Sequence, residues 1–267
     1  MTRAAIIGVT GRMGRALVRA AAEIPELSIA AAVTSPTSAA IGQDAGMLAE
    51  AAALGVNVTG DLTAALSQVD VAIDFSSPSA TQSNLAACCA ARKPLLIGTT
   101  GFSPELGKDF QTAARQIPLL VAPNTSIGIT VLAELVRQAA RALPLQFDIE
   151  IIEAHHRLKR DAPSGTALAL GRAAAEGRGQ PFDGRESSRG GRLRSDGEIG
   201  FAVVRGGDLV GEHEVLFAGM GESLSLRHRV TDRAIFARGA LQAAVWLASQ
   251  PSGQYFMRDL VTYKSGS

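Results

Sequence analysis

Ala4-Ala5-Ile6-Ile7-Gly8-Val9-Thr10-Gly11-Arg12-Met13-Gly14, continued by an Ala/Leu/Val-rich run from Arg15 to Glu23, reads as a strand, a glycine turn and a helix. Glycines in such a turn let the chain reverse tightly and let its backbone approach a pyrophosphate over the free N–H groups of the helix start. The spacing is GxxGxxG rather than GxGxxG, so taken alone it is equally a plain turn. Its place at the first strand–helix junction favours dinucleotide binding.

Working outward, Leu27 to Val33, Val69 to Phe75, Pro94 to Ile97 and Ile117 to Ala122 read as further strands. Helices are expected over 79–92, after a Ser103-Pro104-Glu105 cap, and over 129–143, while 41–54 reads as a surface loop with partial helix. Strands alternating with helices predict a parallel sheet covered on both faces. The strand ends at 75–78, 98–101 and 122–126 all carry small polar residues. Three such ends together suggest a crevice where an open α/β sheet binds its ligand. An acid is usual about 20 residues beyond the glycines, where it holds the adenosine 2′-hydroxyl. Here Thr34-Ser35 stand at that place. With no carboxylate to repel a 2′-phosphate and with Arg12 nearby, tolerance of NADP(H) is expected; the plainer reading is that these hydroxyls only end a strand.

Beyond Pro144 the chain changes character. Phe147-Asp-Ile149-Glu-Ile151-Ile152 has the alternation of a strand, and Glu153-Ala-His155-His156-Arg157-Leu-Lys159-Arg160-Asp161-Ala-Pro163-Ser164-Gly165-Thr166 follows. Ser164 reads as the N-cap of a helix from Gly165. The basic cluster is therefore expected in a loop between a strand end and a helix start, a setting that suits a small anion. Residues 177–200 are polar and Gly/Arg-rich, either merely flexible, which is preferred, or ordering on binding or assembly. Then 201–204, 212–218 and 223–230 alternate with glycine turns between them, which predicts an antiparallel sheet. Residues 235–249 form a strongly apolar helix that returns to the first domain.

At 267 residues the chain is long enough for two domains, and a net charge of +1 with 4% aromatics disfavours nucleic-acid binding. No apolar run approaches a membrane span, and the N-terminus does not read as a signal peptide, so no membrane partner is expected. The only cysteines, Cys88 and Cys89, are adjacent, which fits a reducing cytoplasm better than a disulfide framework.

Nearly end to end, the chain resembles the 4-hydroxy-tetrahydrodipicolinate reductase (dihydrodipicolinate reductase) family of lysine and diaminopimelate biosynthesis. The marks are Gly8-Val-Thr-Gly-Arg-Met-Gly14, Gly98-Thr-Thr-Gly101, Pro123-Asn124, Arg205-Gly-Gly-Asp-Leu-Val-Gly-Glu-His213, Tyr255-Phe-Met-Arg-Asp259 and, most specific, the block from Glu153 to Thr166. The resemblance implies that Gly8, Val9, Thr10, Gly11, Arg12, Met13, Gly98, Thr99, Thr100, Ala122, Pro123, Asn124 and Thr125 line NADPH or NADH. Thr34 and Ser35, expected by their position at the adenosine end, are where the chain departs from the family, since relatives with dual cofactor use can carry an acidic then a basic residue there; the departure bears on cofactor preference, not on the reaction. The resemblance implies His155 as proton donor/acceptor and Lys159 as proton donor, with His156, Gly165 and Thr166 holding a small dicarboxylate. It also implies an α/β protein: a Rossmann-like parallel-sheet domain over 1–126 and 235–267, and a central α+β substrate and oligomerisation domain over 127–234, with a mostly antiparallel sheet and homotetrameric assembly.

Reduction of a conjugated C=N/C=C system builds charge that a nearby acid must neutralise, and Lys159 suits that step. His155 has a duller reading, a structural hydrogen bond that orients the loop while Lys159 alone moves the proton. At least one of Arg157 and Arg160 is expected to make an inter-strand or inter-subunit ion pair with Glu or Asp, and His213 and His228 to be structural or interfacial. No metal site is expected from Glu153, His155 and His156, because adjacent side chains on an extended segment point to opposite faces. A different dehydrogenase on the same scaffold, or a non-catalytic nucleotide sensor, are the competing readings. Turnover of the dihydrodipicolinate synthase product separates them.

Overall fold

The computed structural model describes residues 1–103, 105–184 and 193–265. Pro104 and the central part of the polar 177–200 segment lie outside them. The chain divides into two compact units, one of Met1–Ser126 with Ala234–Ser267 and one of Ile127–Arg233.

In the first unit, seven parallel strands lie in the order β11-β6-β5-β4-β1-β2-β3. They are β1 (Thr2–Ile7), β2 (Leu27–Val33), β3 (Val58–Thr59), β4 (Val71–Asp74), β5 (Leu95–Ile97), β6 (Pro118–Val121) and β11 (Gly253–Tyr255). The helices are α1 (Arg12–Ala21), α2 (Ala45–Leu48), α3 (Leu62–Leu66), α4 (Pro78–Ala90), α5 (Leu106–Ala114), α8 (Ala234–Leu247) and α9 (Met257–Ser265). Ile6, Ile73, Leu95, Leu96, Ile97, Leu119 and Leu120 are fully buried, which explains why these strands read as continuous apolar runs. Ala5, Ile7 and Val33 pack with Leu66 of α3, Leu85 of α4 and Phe110 of α5.

Four short elements escape the strand–helix reading: β3, α3, β11 and α9. One left a signal, since Asp61 caps α3 by accepting the Ala64 N–H at 2.9 Å. The expected cap on α5 is different: Glu105 stands at the N-cap in helical conformation and no side-chain cap bond is made among the described residues.

In the second unit, β7 (Asp148–His155), β8 (Ile199–Arg205), β9 (Gly211–Ala218) and β10 (Ser223–Val230) form a sheet in the order β10-β9-β7-β8. Helices α6 (Ile127–Ala142) and α7 (Gly165–Arg178) cover one face, where Ile149, Ile151, Val215 and Phe217 meet Leu132, Val136, Leu170 and Ala174. β9 is antiparallel to β7 and β10, whereas β8 runs parallel to β7. The hairpin expected between β8 and β9 is therefore absent. After β7 the chain passes through α7, and a helical crossover returns the next strand parallel. The expected strand end at Ile152 is also corrected, because β7 stays paired through His155, opposite Arg205.

Candidate active site

The glycine loop follows β1 directly. Gly8 has φ +85°, and a Cβ there would lie 2.6 Å from Phe75 O; a Cβ on Gly14 would lie 2.3 Å from Gly8 O. Only hydrogen fits at either position. Gly11 is exposed and is the N-cap of α1, with no side chain capping the helix. Its own Cβ would come no nearer than 3.3 Å, to Gly8 O. The helix thus opens on a bare backbone edge, which fits a pyrophosphate. Arg12 is exposed and Met13 half-buried, while the Val9 side chain is buried under the turn.

Ladder bonds bring the other strand ends to the same edge: Gly8 N–H to Val33 O at 2.9 Å, Phe75 N–H to Ile7 O at 3.0 Å, Gly98 N–H to Asp74 O at 2.9 Å and Ala122 N–H to Ile97 O at 2.9 Å. A Cβ on Gly98 would lie 2.1 Å from the Phe75 ring, so a side chain there would have to displace that ring. The fully buried Asp74 accepts from Ser76 N–H at 2.8 Å and Asn84 Nδ2 at 3.1 Å, and Thr99 Oγ1 donates to its carbonyl at 3.3 Å. Thr100 and Pro123 are exposed at this edge and Ala122 is buried. Asn124 Oδ1 accepts Ser126 N–H at 2.9 Å, and Thr125 Oγ1 donates to Phe236 O at 2.6 Å.

Thr34 ends β2 with its hydroxyl 3.1 Å from that of Thr10, and Ser35 is exposed, 3.1 Å from Thr37 Oγ1. The next acid, Asp44, accepts from the N–H groups of Gly46, Met47, Leu54 and Gly55. Organising the 44–55 loop occupies it fully, so it is no substitute for the missing carboxylate.

In the second unit, β7 buries alternate residues, Ile149, Ile151, Glu153 and His155. The row is apolar under the helices and polar at its end. Glu153, wholly buried, accepts Ser164 N–H at 2.9 Å and Arg205 Nη2 at 2.9 Å on Oε1, and its Oε2 lies 2.5 Å from His155 Nδ1. Burial pushes its carboxyl upward, but the hydrogen bonds from His155, Arg205 and Ser164 outweigh that and hold it at about 2. His213 stands opposite Glu153 on β9; its ring centroid is 5.0 Å from that of His155, and its Nε2 is 3.2 Å from Ser164 Oγ. Burial, aided by the His155 charge, lowers the His213 imidazole to about 4 and keeps it neutral.

Ser164 caps α7 as expected, accepting Ala167 N–H at 3.1 Å. Gly165 is exposed with open space around its Cβ position, and Thr166 is half-buried beside it. Lys159 Nζ pairs with Asp161 at 2.8 Å, and His156 is half-buried. The loop is held by Arg157 N–H to Gly207 O at 3.1 Å and Gly206 N–H to His155 O at 3.0 Å. Among the described residues neither Arg157 nor Arg160 pairs with a carboxylate; Arg205 makes the cross-strand ion pair instead.

His155, His156, Lys159, Gly165 and Thr166 are therefore gathered at one end of the second unit. The dinucleotide candidates share one sheet edge of the first. Sequence reasoning missed Glu153, Arg205, Gly211 and the proximity of His213, although period-2 spacing already put Glu153 and His155 on one face. Among the described residues, Glu153, His155 and His213 are the trio with ligand atoms within 4.8 Å of one another. Glu153 already accepts from Ser164 and Arg205 and lies against His155, His213 bonds Ser164, and the guanidinium opposes a second cation.

The match with known proteins covers both units. Residues 2–125 match the family model "Dihydrodipicolinate reductase, N-terminus" and 128–261 the model "Dihydrodipicolinate reductase, C-terminus". The chain is 47% identical over 269 residues to 4-hydroxy-tetrahydrodipicolinate reductase of Anaeromyxobacter dehalogenans, with 100% of both chains covered. To the enzyme of that name from Thiobacillus denitrificans it is 48% identical over 267 residues, covering 98% of this chain and 99% of the other. A dipicolinate-bound dihydrodipicolinate reductase from Paenisporosarcina sp. TG-14 superposes with a TM-score of 0.77 at 27% identity, covering 96% of this chain and 97% of that one. Matched along both halves and close to half identical to full-length relatives, the chain belongs to the dihydrodipicolinate reductase family.

Proposed function

We propose that this protein reduces 4-hydroxy-tetrahydrodipicolinate to tetrahydrodipicolinate with NADPH or NADH, in lysine and diaminopimelate biosynthesis. One hydride and one proton enter the substrate, one water leaves, and the nicotinamide is oxidised. The observation that carries the reading is the cluster at the α7 start: an imidazole, an ammonium and an open helix N-terminus gathered at one end of a sheet.

In the first unit, Gly8 to Met13 cradle the pyrophosphate on the bare start of α1, and Gly98–Thr100 and Ala122–Thr125 line the rest of the nucleotide. Thr34, Ser35 and Arg12 leave room for a 2′-phosphate. When bound, the dihydronicotinamide supplies the hydride. In the second unit, the backbone of Gly165 and the Thr166 hydroxyl hold one substrate carboxylate at the positive end of α7, and His156 and Lys159 hold the other. His155 and Lys159 deliver the proton that neutralises the reduced ring; acid catalysis of this kind is worth about 10²–10⁴ in rate. The dipicolinate named with the solved relative is a dicarboxylate, in keeping with this charge pattern.

Assembly as a homotetramer through the second sheet is part of the proposal. Ala202 and Val204 of β8 are exposed on the face turned away from α6 and α7, and Ile152, Ala154 and Leu216 are half-buried beside them. Val204→Glu is expected to give a smaller species in light scattering. Among the described residues no helix is long and apolar enough to cross a membrane, and a cytoplasmic home is proposed from the biosynthetic role.

The function is tested by supplying the dihydrodipicolinate synthase product and either nucleotide. Oxidation of NAD(P)H is expected, with His155→Gln and Lys159→Met each losing at least about 100-fold in kcat while nucleotide affinity stays within a few-fold. Near-normal turnover in both variants would remove the assigned roles.

A further inference from the structure

We infer that Glu153 is the positioning residue of His155: its buried carboxylate accepts the Nδ1–H of the imidazole, leaving Nε2 as the nitrogen that serves the substrate. The inference rests on the role proposed for His155 and deepens it.

Three observations carry it. First, His155 Nδ1 and Glu153 Oε2 are both sealed from solvent, lie 2.5 Å apart, and neither has a hydrogen-bond partner elsewhere among the described residues, which leaves each only the other to satisfy it. A sealed carboxylate oxygen facing a sealed ring nitrogen requires the proton to lie between them. Second, the other oxygen is fully employed. Oε1 accepts both Ser164 N–H and Arg205 Nη2, so the carboxylate is fixed from three sides and the guanidinium keeps it ionised. Third, Nε2 lies toward Gly211: a Cβ there would sit 3.1 Å from Nε2 and 3.3 Å from Cδ2. The absent side chain leaves the ring this orientation. The same carboxylate bonds Ser164, which caps α7, so one group sets both the proton carrier and the helix start that receives the substrate carboxylate. His213, neutral beside the pair, adds no competing charge.

Glu153→Gln separates this role from simple packing. In the variant, Ser164 N–H and Arg205 still claim the amide oxygen, so the amide NH₂ faces His155 Nδ1. That nitrogen can then only accept, and the neutral ring moves its proton to Nε2. Nitrogen-15 NMR of labelled protein, at a pH where the ring is neutral, should show the Nδ1–H form in the wild type and the Nε2–H form in Glu153→Gln. The kcat should fall 10- to 1,000-fold with substrate KM changed less than about three-fold, and Glu153→Asp should recover part of the loss. A neutral wild-type ring protonated on Nε2 overturns the inference even if the variant fails to fold. An unchanged ring pattern, or an unchanged kcat in a folded Glu153→Gln protein whose wild type turns over, overturns it as well. Should the wild type show the Nδ1–H form yet not turn the substrate over, the proposed reaction fails and the positioning role stands.

Discussion

Gly211 on β9 lies against His155 at the end of β7, so close that a methyl group on the glycine would reach within 3.1 Å of the imidazole Nε2. That separation is tighter than ordinary van der Waals contact, and the ring is also confined by Glu153 at Nδ1 and by the edge-on His213 ring. Gly211→Ala should therefore tilt the ring by a few tenths of an ångström and lower kcat by about 10-fold, a sensitivity typical of small misplacements of catalytic groups. Gly211→Val should lose more. Nucleotide affinity, measured by quenching or calorimetry, should not move in either.

The buried network makes stability depend on acidity in two windows. His213 is neutral when folded, with its imidazole lowered from 6.5 to about 4 by burial first and the His155 charge second, against the opposing Glu153. His228 on β10 and Lys159 in the loop lower it further. The unfolded chain binds a proton there that the folded chain refuses, so stability falls as pH drops from 6.5 to 4. The Glu153 carboxyl is depressed from 4.5 to about 2, so its contribution is complete above 4.5 and lost as pH falls toward 2. Each window is worth on the order of 3 kcal/mol. Thermal unfolding across pH should show a shallower slope between pH 6.5 and 4 in His213→Asn, and between 4.5 and 2 in Glu153→Gln. Slopes equal to the wild type in both variants would contradict the electrostatics described.

The loop glycines divide by what they touch. A methyl on Gly14 would strike Gly8 O at 2.3 Å and Val9 Cα at 2.6 Å, so Gly14→Ala must shift backbone and should cost about 1–3 kcal/mol along with nucleotide binding. A methyl on the exposed Gly11 meets Gly8 O at 3.3 Å and Phe75 O at 4.0 Å. Gly11→Ala should thus keep the melting temperature within a few degrees while weakening NADPH binding at least 10-fold. Calorimetry on both proteins checks the contrast; equal binding losses at equal stability would argue against a pyrophosphate over Gly11.

Ser35 sits just past β2, and the next acid along the chain, Asp44, is held by its own loop. Ser35→Asp places a charge against a 2′-phosphate. The ratio of kcat/KM for NADPH to that for NADH should fall at least 10-fold, and should do so less at high salt, where the repulsion is screened. An unmoved ratio would place the adenosine ribose elsewhere.

Much of the scaffold was legible along the chain because its signals are local. Strand β2, helix α7 with its Ser164 cap, and the glycine turn after β1 follow from periodicity, capping chemistry and steric limits within a few residues. Two-residue β3 and three-residue β11 were not legible, since so short a strand carries no period of its own and exists by pairing with β2 and β6. Gathering His155, Lys159, Gly165 and Thr166 was also within reach, as they belong to one contiguous block.

What the amino-acid order determined by itself was the kind of chemistry: a nucleotide-type glycine turn, and a run of cations leading into a capped helix. What only the tertiary structure decided was the company those residues keep. Strand β8 lies beside β7 rather than β9, and that placement carries Arg205 to Glu153. The register of β9 puts His213 opposite Glu153 and leaves Gly211 against the imidazole. The physical reason is that pairing between strands tens of residues apart is settled by burial and closure of the whole sheet, and no local period encodes which partner wins.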